Sequence, residues 1–361
     1  MSENKTASIK NIKWTERSKL MGYKIHRDTF NEALNQLSKE YSIYAPKRFI
    51  GGGTYSDTDR IRYGEVQSLN EIVFDLKSEF SYKEILTPIS QTLFYFTEDE
   101  VKEADGPIKG AVVFLRSCDM HAVKRLDDIY LRNGFEDVYY KRIREKTKFI
   151  LMGCKEAFDS CFCVDMGTNS CDSHDAFVKV EGEYVYIDGN FEELMMRFGE
   201  QVEETDVKVD FVTETKTHVS IPGNLSLEVM DSKMWEEYNE RCIACGRCNF
   251  VCPTCTCFTM QDVFYEGSDQ KKTGERRRVW ASCQVDGYTN MAGGHAFRLN
   301  KGQRMRFKVM HKVHDYKKRF GYHMCVGCGR CDDICPEYIS FSACINKLKD
   351  AMSEVSKEGT N

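Results

Sequence analysis

The chain has 361 residues, 41% of them hydrophobic and 30% charged, a composition typical of a water-soluble globular protein with room for two domains. Its longest apolar runs, such as 111–115, are far too short to cross a membrane, and its first residues lack the apolar segment of a signal peptide, so we expect a cytoplasmic protein. Seventeen cysteines in such a chain indicate metal ligation rather than a disulfide framework.

The charge of −5 is unevenly distributed along the chain. Residues 271–320 hold fourteen Lys and Arg against three carboxylates, a net charge of +11. Such a block could bind nucleic acid, face an acidic partner protein, or offset the negative charge of thiolate-ligated clusters. Because no nucleic-acid-binding fold is recognisable, we favour the last interpretation and expect no nucleic-acid partner.

The N-terminal part alternates helical and strand patterns, which predicts an α/β domain over residues 1–225. The predicted elements, in chain order, are helix 25–41, strands 42–48, 72–74 and 84–87, strand 111–116, helix 120–132, strand 148–153, the hairpin strands 177–180 and 184–187, a helix starting at Asn190, and strand 207–212. The strand–helix–strand unit over 111–153 implies two parallel strands joined by a right-handed crossover.

Four cysteines of this part form a candidate third cluster site. Cys118 follows the first strand of the unit and Cys154 follows the second. Because the carboxyl ends of parallel strands meet at one edge of a sheet, we expect these two thiols to lie close together. Cys161 and Cys163 are two residues apart in the next loop, so both side chains can face the same way. Buried structural thiols or a zinc site are the alternatives, and Cys171 is interpreted as a spare thiol.

The C-terminal part contains two cysteine runs with identical spacing. The first is Cys242-x2-Cys245-x2-Cys248-x3-Cys252-Pro253, and the second is Cys325-x2-Cys328-x2-Cys331-x3-Cys335-Pro336. Two such runs are the signature of a ferredoxin with two [4Fe–4S] clusters, in which the fourth cysteine of each run ligates the other cluster. We therefore assign Cys242, Cys245, Cys248 and Cys335 to one cluster, and Cys325, Cys328, Cys331 and Cys252 to the other. Zinc knuckles share the C-x2-C spacing but fit the four-cysteine run with its closing proline poorly.

The two runs are separated by 72 residues and flanked by helix-like segments at 235–241 and 338–353. This pattern predicts a mainly helical dicluster domain over residues 226–361, with an insertion between the runs. Cys255, Cys257 and Cys283 fall in the insertion without an obvious fourth ligand, so we expect them to have structural roles.

Over about residues 47–348 the motifs resemble the iron–sulfur β-subunit family of cytosolic sulfhydrogenases, and within it the iron–sulfur subunits of anaerobic sulfite reductases. The resemblance rests on both cysteine runs and on Ser117–Ala122, Cys154–Thr168, Trp280–Cys283 and Met291–His295. It implies an electron-transfer protein between a flavin subunit that handles NADH and a sirohaem subunit that reduces sulfite to sulfide. The alternative is the β-subunit of a NiFe sulfhydrogenase. The resemblance also implies a third cluster in the N-terminal half.

Neither a glycine-rich dinucleotide fingerprint nor a separate sirohaem motif occurs in the chain. We therefore expect no catalytic residues, and neither NADH oxidation nor sulfite reduction by the chain alone. A self-contained oxidoreductase with its own substrate pocket, and a cluster-bearing regulator that binds nucleic acid, are the competing hypotheses.

Overall fold

The computed structural model describes residues 22–266 and 272–358. The N-terminal residues on which the expectation of no signal peptide rests, and Lys271 at the start of the basic block, lie outside this part. The strands are β1 Gly22–His26, β2 Tyr41–Phe49, β3 Arg60–Glu65, β4 Ser90–Phe96, β5 Val101–Glu103, β6 Gly110–Leu115, β7 Thr147–Met152, β8 Ala176–Glu181, β9 Tyr184–Gly189, β10 Glu203–Thr205, β11 Phe258–Phe264 and β12 Gly274–Trp280.

Most helices are short. The α-helices are α1 Arg27–Leu37, α2 Lys83–Leu86, α3 Ser117–Leu131, α4 Val138–Glu145, α5 Glu192–Met195, α6 Glu237–Arg241, α7 Arg247–Phe250, α8 Lys301–Met310, α9 Tyr316–Phe320, α10 Arg330–Asp333, α11 Phe341–Asn346 and α12 Leu348–Glu358. A π-helical turn at His311–Asp315 joins α8 to α9, and 3₁₀ turns lie at Leu69–Glu71, Met196–Phe198, Leu227–Asp231 and Lys233–Trp235.

A mixed sheet organises the N-terminal half. Within the described residues its strand order is β10-β1-β9-β8-β7-β6-β2-β3, with parallel pairing from β2 through β6 and β7 to β8. The predicted parallel pair is confirmed, because β6 and β7 pair in register from Ala111 with Thr147 to Leu115 with Leu151. The hairpin of β8 and β9 is also confirmed.

Both faces of this sheet are covered by apolar side chains, as expected for a sheet with helices on its two faces. Helix α1 packs Phe30, Leu34 and Leu37 against one face, where Val112 and Ile150 also point. Helices α3 and α4 cover the other face, where their buried side chains meet Val113 and Leu151. The alternation of neighbouring strand residues between the two cores follows from the two-residue period of a strand.

Three of the predicted strands differ from the structure, and the predicted helix 25–41 is shorter, because its ends belong to β1 and β2. Residues 84–87 belong to helix α2 and the turn after it rather than to a strand, because four residues are too few for periodicity to separate the two states. Residues 207–212 form no strand. Val207, Val209 and Phe211 pack on the core, so the alternation of apolar residues reflects burial of these side chains and not hydrogen bonding to a neighbouring strand. Residue 72 makes an isolated bridge to Lys47 rather than starting a strand at 72–74.

The C-terminal part combines helices with two strands. Its hairpin of β11 and β12 extends a second sheet of order β11-β12-β4-β5, two strands of which come from the N-terminal half. The mixed α and β character of the chain is confirmed, but the two halves share this sheet. No helix of the described part combines the length and apolar character needed to cross a membrane.

Candidate iron–sulfur sites

The first cysteine run surrounds a cavity. Its loop turns at Gly246, whose φ of +76° is readily adopted by glycine, and continues into α7. Cys242, Cys245 and Cys248 line the cavity, and so does Cys335, the last cysteine of the second run. Backbone N–H groups point at two of these sulfurs, from Ala244 to Cys242 at 3.4 Å and from Ile339 to Cys335 at 3.3 Å. The cavity therefore gathers the four residues that the sequence assigns to one cluster, and Cys331 of the other predicted set also lines it.

The first two cysteines of the second run are buried, and Cys331 and Cys335 are partly exposed. Burial, together with a negative charge on Cys252, raises the pKa of Cys325 to about 12 and that of Cys328 to about 11. Burial likewise raises the pKa of Cys331, again with a contribution from Cys252. Cys252 thus lies within electrostatic reach of all three thiols. Because burial opposes their ionisation, a bound cationic centre is what would hold these side chains as thiolates.

Three buried lysines converge on the cysteine runs. Lys83, Lys308 and Lys312 have at most 4% of their surface exposed, and no carboxylate in the described residues pairs with any of them. Lys308 makes a side-chain hydrogen bond to Cys248. The Nζ of Lys312 donates to Thr254 Oγ1 at 2.9 Å, and that of Lys83 donates to the Cys255 carbonyl at 3.0 Å.

These lysines test whether the residues fit the clusters. A buried ammonium group without a carboxylate is costly unless another negative charge lies close by. Although burial alone lowers the pKa of Lys308, charges on Cys248 and Cys331 raise it well above its usual value. Burial also opposes the charge of Lys312, and Cys252 and Cys255 raise its pKa. Burial lowers the pKa of Lys83, so the argument rests on Lys308 and Lys312. Thiolate-ligated clusters would supply the negative charge beside these two, so the donor set and its surroundings fit them.

The candidate third site lies at the carboxyl edge of β6 and β7. Cys118 is in the first turn of α3, where burial outweighs the effect of the helix N-terminus and keeps the free thiol protonated. Cys154 follows β7 and accepts a hydrogen bond from Arg116 Nη1 at 3.3 Å. Burial, together with charges on Cys161 and Cys154, raises the pKa of Cys163 to about 12. Burial raises the pKa of Cys118 well above its usual value, and charges on Asp119, Cys328 and Cys163 add to the rise. Cys163 therefore lies within electrostatic reach of the other three thiols that the sequence singles out.

The loop that carries Cys161 and Cys163 rests directly on the second run. Phe162 N–H donates to the Gly327 carbonyl at 2.8 Å, and Thr168 Oγ1 donates to the Val326 carbonyl at 2.7 Å. A Cβ added at Gly327 would lie 2.5 Å from the Phe162 carbonyl oxygen, so only glycine allows this approach. The candidate third site and the second run are therefore in contact.

A buried ion pair holds the same junction. Arg330, next to Cys331, makes two hydrogen bonds to the carboxylate of Asp119, at 2.7 and 2.9 Å. Both side chains are at most 2% exposed, and Arg330 also donates to Ser78. Asp119 follows Cys118 in the chain, so the pair joins a cysteine of the third set to the second run.

A further group of thiols is brought together by the fold. Cys255 and Cys283, together with burial, raise the pKa of Cys257, so these three thiols lie within electrostatic reach of one another. The register of the β11–β12 hairpin, Phe258 opposite Trp280, explains their approach and is the signal that could have revealed it. Cys171 does not join any of these groups and lines a separate cavity with His121 and His174.

Comparisons with known proteins agree with this geometry. Residues 241–339 match the family described as the 4Fe-4S dicluster domain. The chain carries a dicluster domain. Such a domain implies two [4Fe–4S] clusters, and residues 241–339 include both cysteine runs.

Similarity also extends beyond this domain. The chain is 29% identical over 352 residues to sulfhydrogenase 2 subunit beta of Pyrococcus furiosus, covering 91% of this chain and 98% of that protein. No solved structure matches. The relative is named a sulfhydrogenase subunit, which fits the alternative from the sequence at least as well as the main hypothesis, and sulfite reduction finds no support here.

Proposed function

We propose that this chain is an iron–sulfur electron-transfer subunit of a multi-subunit oxidoreductase of the sulfhydrogenase kind. The observation that carries the proposal is the match to a dicluster domain within a similarity that spans nearly the whole length of a sulfhydrogenase beta subunit. A beta subunit works with partners, so we expect a flavin subunit that handles nicotinamide on one side and a catalytic subunit on the other.

In this proposal twelve cysteines hold three clusters. The ligands are Cys242, Cys245, Cys248 and Cys335 for the first cluster, Cys325, Cys328, Cys331 and Cys252 for the second, and Cys118, Cys154, Cys161 and Cys163 for the third. When bound, [4Fe–4S] clusters take up and release single electrons. The buried Lys308 and Lys312 balance their negative charge, and backbone N–H groups donate to the sulfurs of Cys242 and Cys335.

The arrangement supports a path with two ends. Cys245 of the first run is exposed, so a partner can approach the first cluster there. The second run lies buried in the middle. Cys154 of the third set lines a wide cavity, together with Phe158 and Lys155, that opens to solvent. We propose that residues 1–225 carry the third cluster at one end of the path and that residues 226–361 carry the other two.

The cluster content is tested with the full chain purified without oxygen. Three clusters correspond to about 12 Fe per chain, and Cys163→Ser should remove about 4 of them. Cys171→Ser is the matched control, because this thiol lies outside the proposed ligand set. A wild-type value of about 8 Fe that Cys163→Ser leaves unchanged would refute the third cluster but not the dicluster.

Membership of a complex is tested by purifying the assembly through a tag on this chain. We expect nickel and H2-dependent reduction of a viologen dye in the purified assembly. A sirohaem absorption band together with sulfite-dependent oxidation of reduced viologen would instead assign the chain to a sulfite reductase. Steady NADH oxidation by the isolated chain would contradict the electron-transfer role itself.

A further inference from the structure

A cavity of about 690 Å³ lies where the N-terminal and C-terminal halves of the chain meet. The described residues that line it include three arginines and three aromatic side chains, and none of them is a carboxylate. These six residues are Arg60, Arg62, Phe80, Arg247, Phe250 and Trp280. A concave space of this size can hold a small organic ligand, and its positive lining favours an anion.

Two of the arginines are held in place by carboxylates that do not line the cavity. Arg60 Nε lies 2.9 Å from Glu79 Oε2, and Arg62 Nη2 donates to Glu84 Oε2 at 3.2 Å. A guanidinium group has five N–H donors in a fixed fork, so each of these contacts leaves donors for a ligand. The two carboxylates therefore orient the guanidinium groups without using up their binding capacity.

Arg247 is the third arginine, and it connects this cavity to the first cysteine run. It lies between Cys245 and Cys248 in the chain and faces solvent. No ion pair joins it to another of the described residues. Its side chain lines both this cavity and the cavity that is lined by the four cysteines of the first predicted cluster. A charge bound beside Arg247 therefore lies next to that cluster.

The aromatic side chains give the cavity flat apolar walls. Arg62 Cζ lies 4.6 Å from the centre of the Phe80 ring, and Lys83 Nζ lies 4.0 Å from the centre of the Trp280 ring. The Trp280 indole is fixed by its N–H group, which donates to the Thr87 carbonyl at 2.8 Å. Such rings favour a planar ligand that stacks on them or meets their edges. A ligand that suits the whole lining combines an aromatic ring with a group such as phosphate.

We propose that this cavity binds a phosphorylated aromatic compound and that the bound anion lowers the reduction potential of the first cluster. Flavin mononucleotide and the adenine nucleotides share this chemistry. The phosphate pairs with the arginines, and its negative charge opposes the addition of an electron to the adjacent cluster. By linkage, the reduced chain then binds the compound more weakly than the oxidised chain. The effect on the cluster rests on the proposed function, whereas the binding does not.

The first test measures binding to the full chain by equilibrium dialysis without oxygen. The probes are flavin mononucleotide with riboflavin, adenosine monophosphate with adenosine, and inorganic phosphate. We expect one of the two phosphorylated compounds to bind at least about tenfold more tightly than its unphosphorylated partner and than inorganic phosphate. The tighter of the two identifies the source. Equal affinity within both pairs, or an equal affinity for inorganic phosphate, would overturn the proposal.

Variants of the lining locate the bound compound. Arg62→Gln and Arg247→Gln should each weaken binding by about tenfold or more, because each removes one charged donor. Arg142→Gln is the matched control, since Arg142 is an exposed arginine that pairs with Glu103 and does not line the cavity. An iron content equal to that of wild type verifies that the variants fold. Unchanged affinity in both cavity variants, or the same loss in the control, would refute the site.

The second test measures the potential of the first cluster with and without a saturating amount of the compound. Redox titration is followed by electron paramagnetic resonance, using the signal that Cys245→Ser lacks. If the reduced chain binds tenfold more weakly, the potential falls by about 59 mV for one electron. An unchanged or higher potential would overturn the effect on the cluster. A chain without iron would refute the proposed function, whereas the dialysis would still decide whether the cavity binds the compound.

Discussion

The two cysteine runs have the same spacing but opposite surroundings. In the first run Ile243 is 55% exposed and Cys245 and Arg247 face solvent, whereas in the second run the corresponding Val326 is 2% exposed. The second run is covered by the loop over residues 160–168 of the N-terminal half, whereas the segment that packs on Gly246 of the first run, residues 282–285, belongs to the C-terminal half. A repeated motif thus provides two chemically equal sites, and the packing of the rest of the chain makes one a surface site and the other an internal one.

Single positions of the repeat show the same contrast. Ala244 and Gly327 are equivalent and have similar backbone angles, φ of 57° and 65°. A Cβ added at Gly327 would lie 2.5 Å from the Phe162 carbonyl oxygen, whereas Ala244 carries a Cβ at the equivalent position. Arg247 and Arg330 are equivalent too, but only Arg330 is buried and paired with Asp119. The two runs therefore differ in the segments that pack on them and not in their own sequence pattern. Substitutions at equivalent positions of the two runs can test this.

The largest expected effect is the loss of a cluster when the last cysteine of a run, Cys252 or Cys335, is replaced. Because the fourth cysteines are exchanged between runs, Cys335→Ser should disturb the same cluster as Cys245→Ser, and Cys252→Ser the same cluster as Cys328→Ser. Each variant should lose up to about 4 Fe. Electron paramagnetic resonance of the reduced proteins groups the four variants by the signal that each one lacks. Grouping of Cys252→Ser with Cys245→Ser would show that each run keeps its own fourth ligand.

The next effect concerns the buried ion pair at the second run. Asp119→Ala leaves the Arg330 guanidinium buried without its carboxylate, which should cost about 3–5 kcal/mol of stability. Arg247→Ala, the equivalent surface position, should change stability by less than about 0.5 kcal/mol. The measurement is the guanidinium concentration at which cluster absorbance is lost under anaerobic conditions. Equal midpoints for the two variants would mean that the junction contributes nothing to stability.

A smaller effect is expected from the close approach at Gly327. Gly327→Ala places a methyl group against the Phe162 carbonyl, and since the backbone cannot move aside freely, we expect a cost of about 1–3 kcal/mol. The control is Ala244→Gly, which removes a methyl group at the equivalent position without a comparable contact. The stability of the two variants is compared through the guanidinium concentration at which cluster absorbance is lost. A Gly327→Ala protein as stable as wild type would indicate that the loop over residues 160–168 is not pressed onto the second run.

The smallest expected effect is on a reduction potential. A reduced cluster carries one more negative charge, so the buried Lys308 ammonium beside Cys248 stabilises the reduced form. A charged hydrogen bond is worth about 1.5–3 kcal/mol, and about 1.4 kcal/mol corresponds to roughly 60 mV for one electron. Lys308→Met should therefore lower the potential of the first cluster by roughly 60–120 mV.

Two controls accompany this measurement. Lys308→Arg keeps the charge and should stay near wild type, and Lys318→Met removes an exposed charge that solvent screens. Redox titration followed by electron paramagnetic resonance measures all of them. A shift of the same size in Lys318→Met would attribute the effect to the general field of the basic block instead of to Lys308.

The N-terminal half shows how far local patterns reach. The strand–helix–strand unit was predictable because β6, α3 and β7 are long enough for their periods to be read, and the parallel pairing then places Cys118 and Cys154 at one edge. Lys83 could not be found in this way. It lies in the four-residue helix α2, and only the fold brings its ammonium group to a carbonyl 172 residues away, at Cys255.

By itself the sequence determined the two cysteine runs and their chemistry, because ligands on one short loop are set by spacing along the chain. It also singled out four thiols as a candidate third set, because residues that follow neighbouring parallel strands lie at one edge of the sheet. Tertiary structure alone decided which run is more buried, which lysines face the thiols, and that Cys255, Cys257 and Cys283 lie near one another. These features depend on the register of a hairpin and on contacts between distant segments, which packing of the whole chain selects and no local pattern encodes.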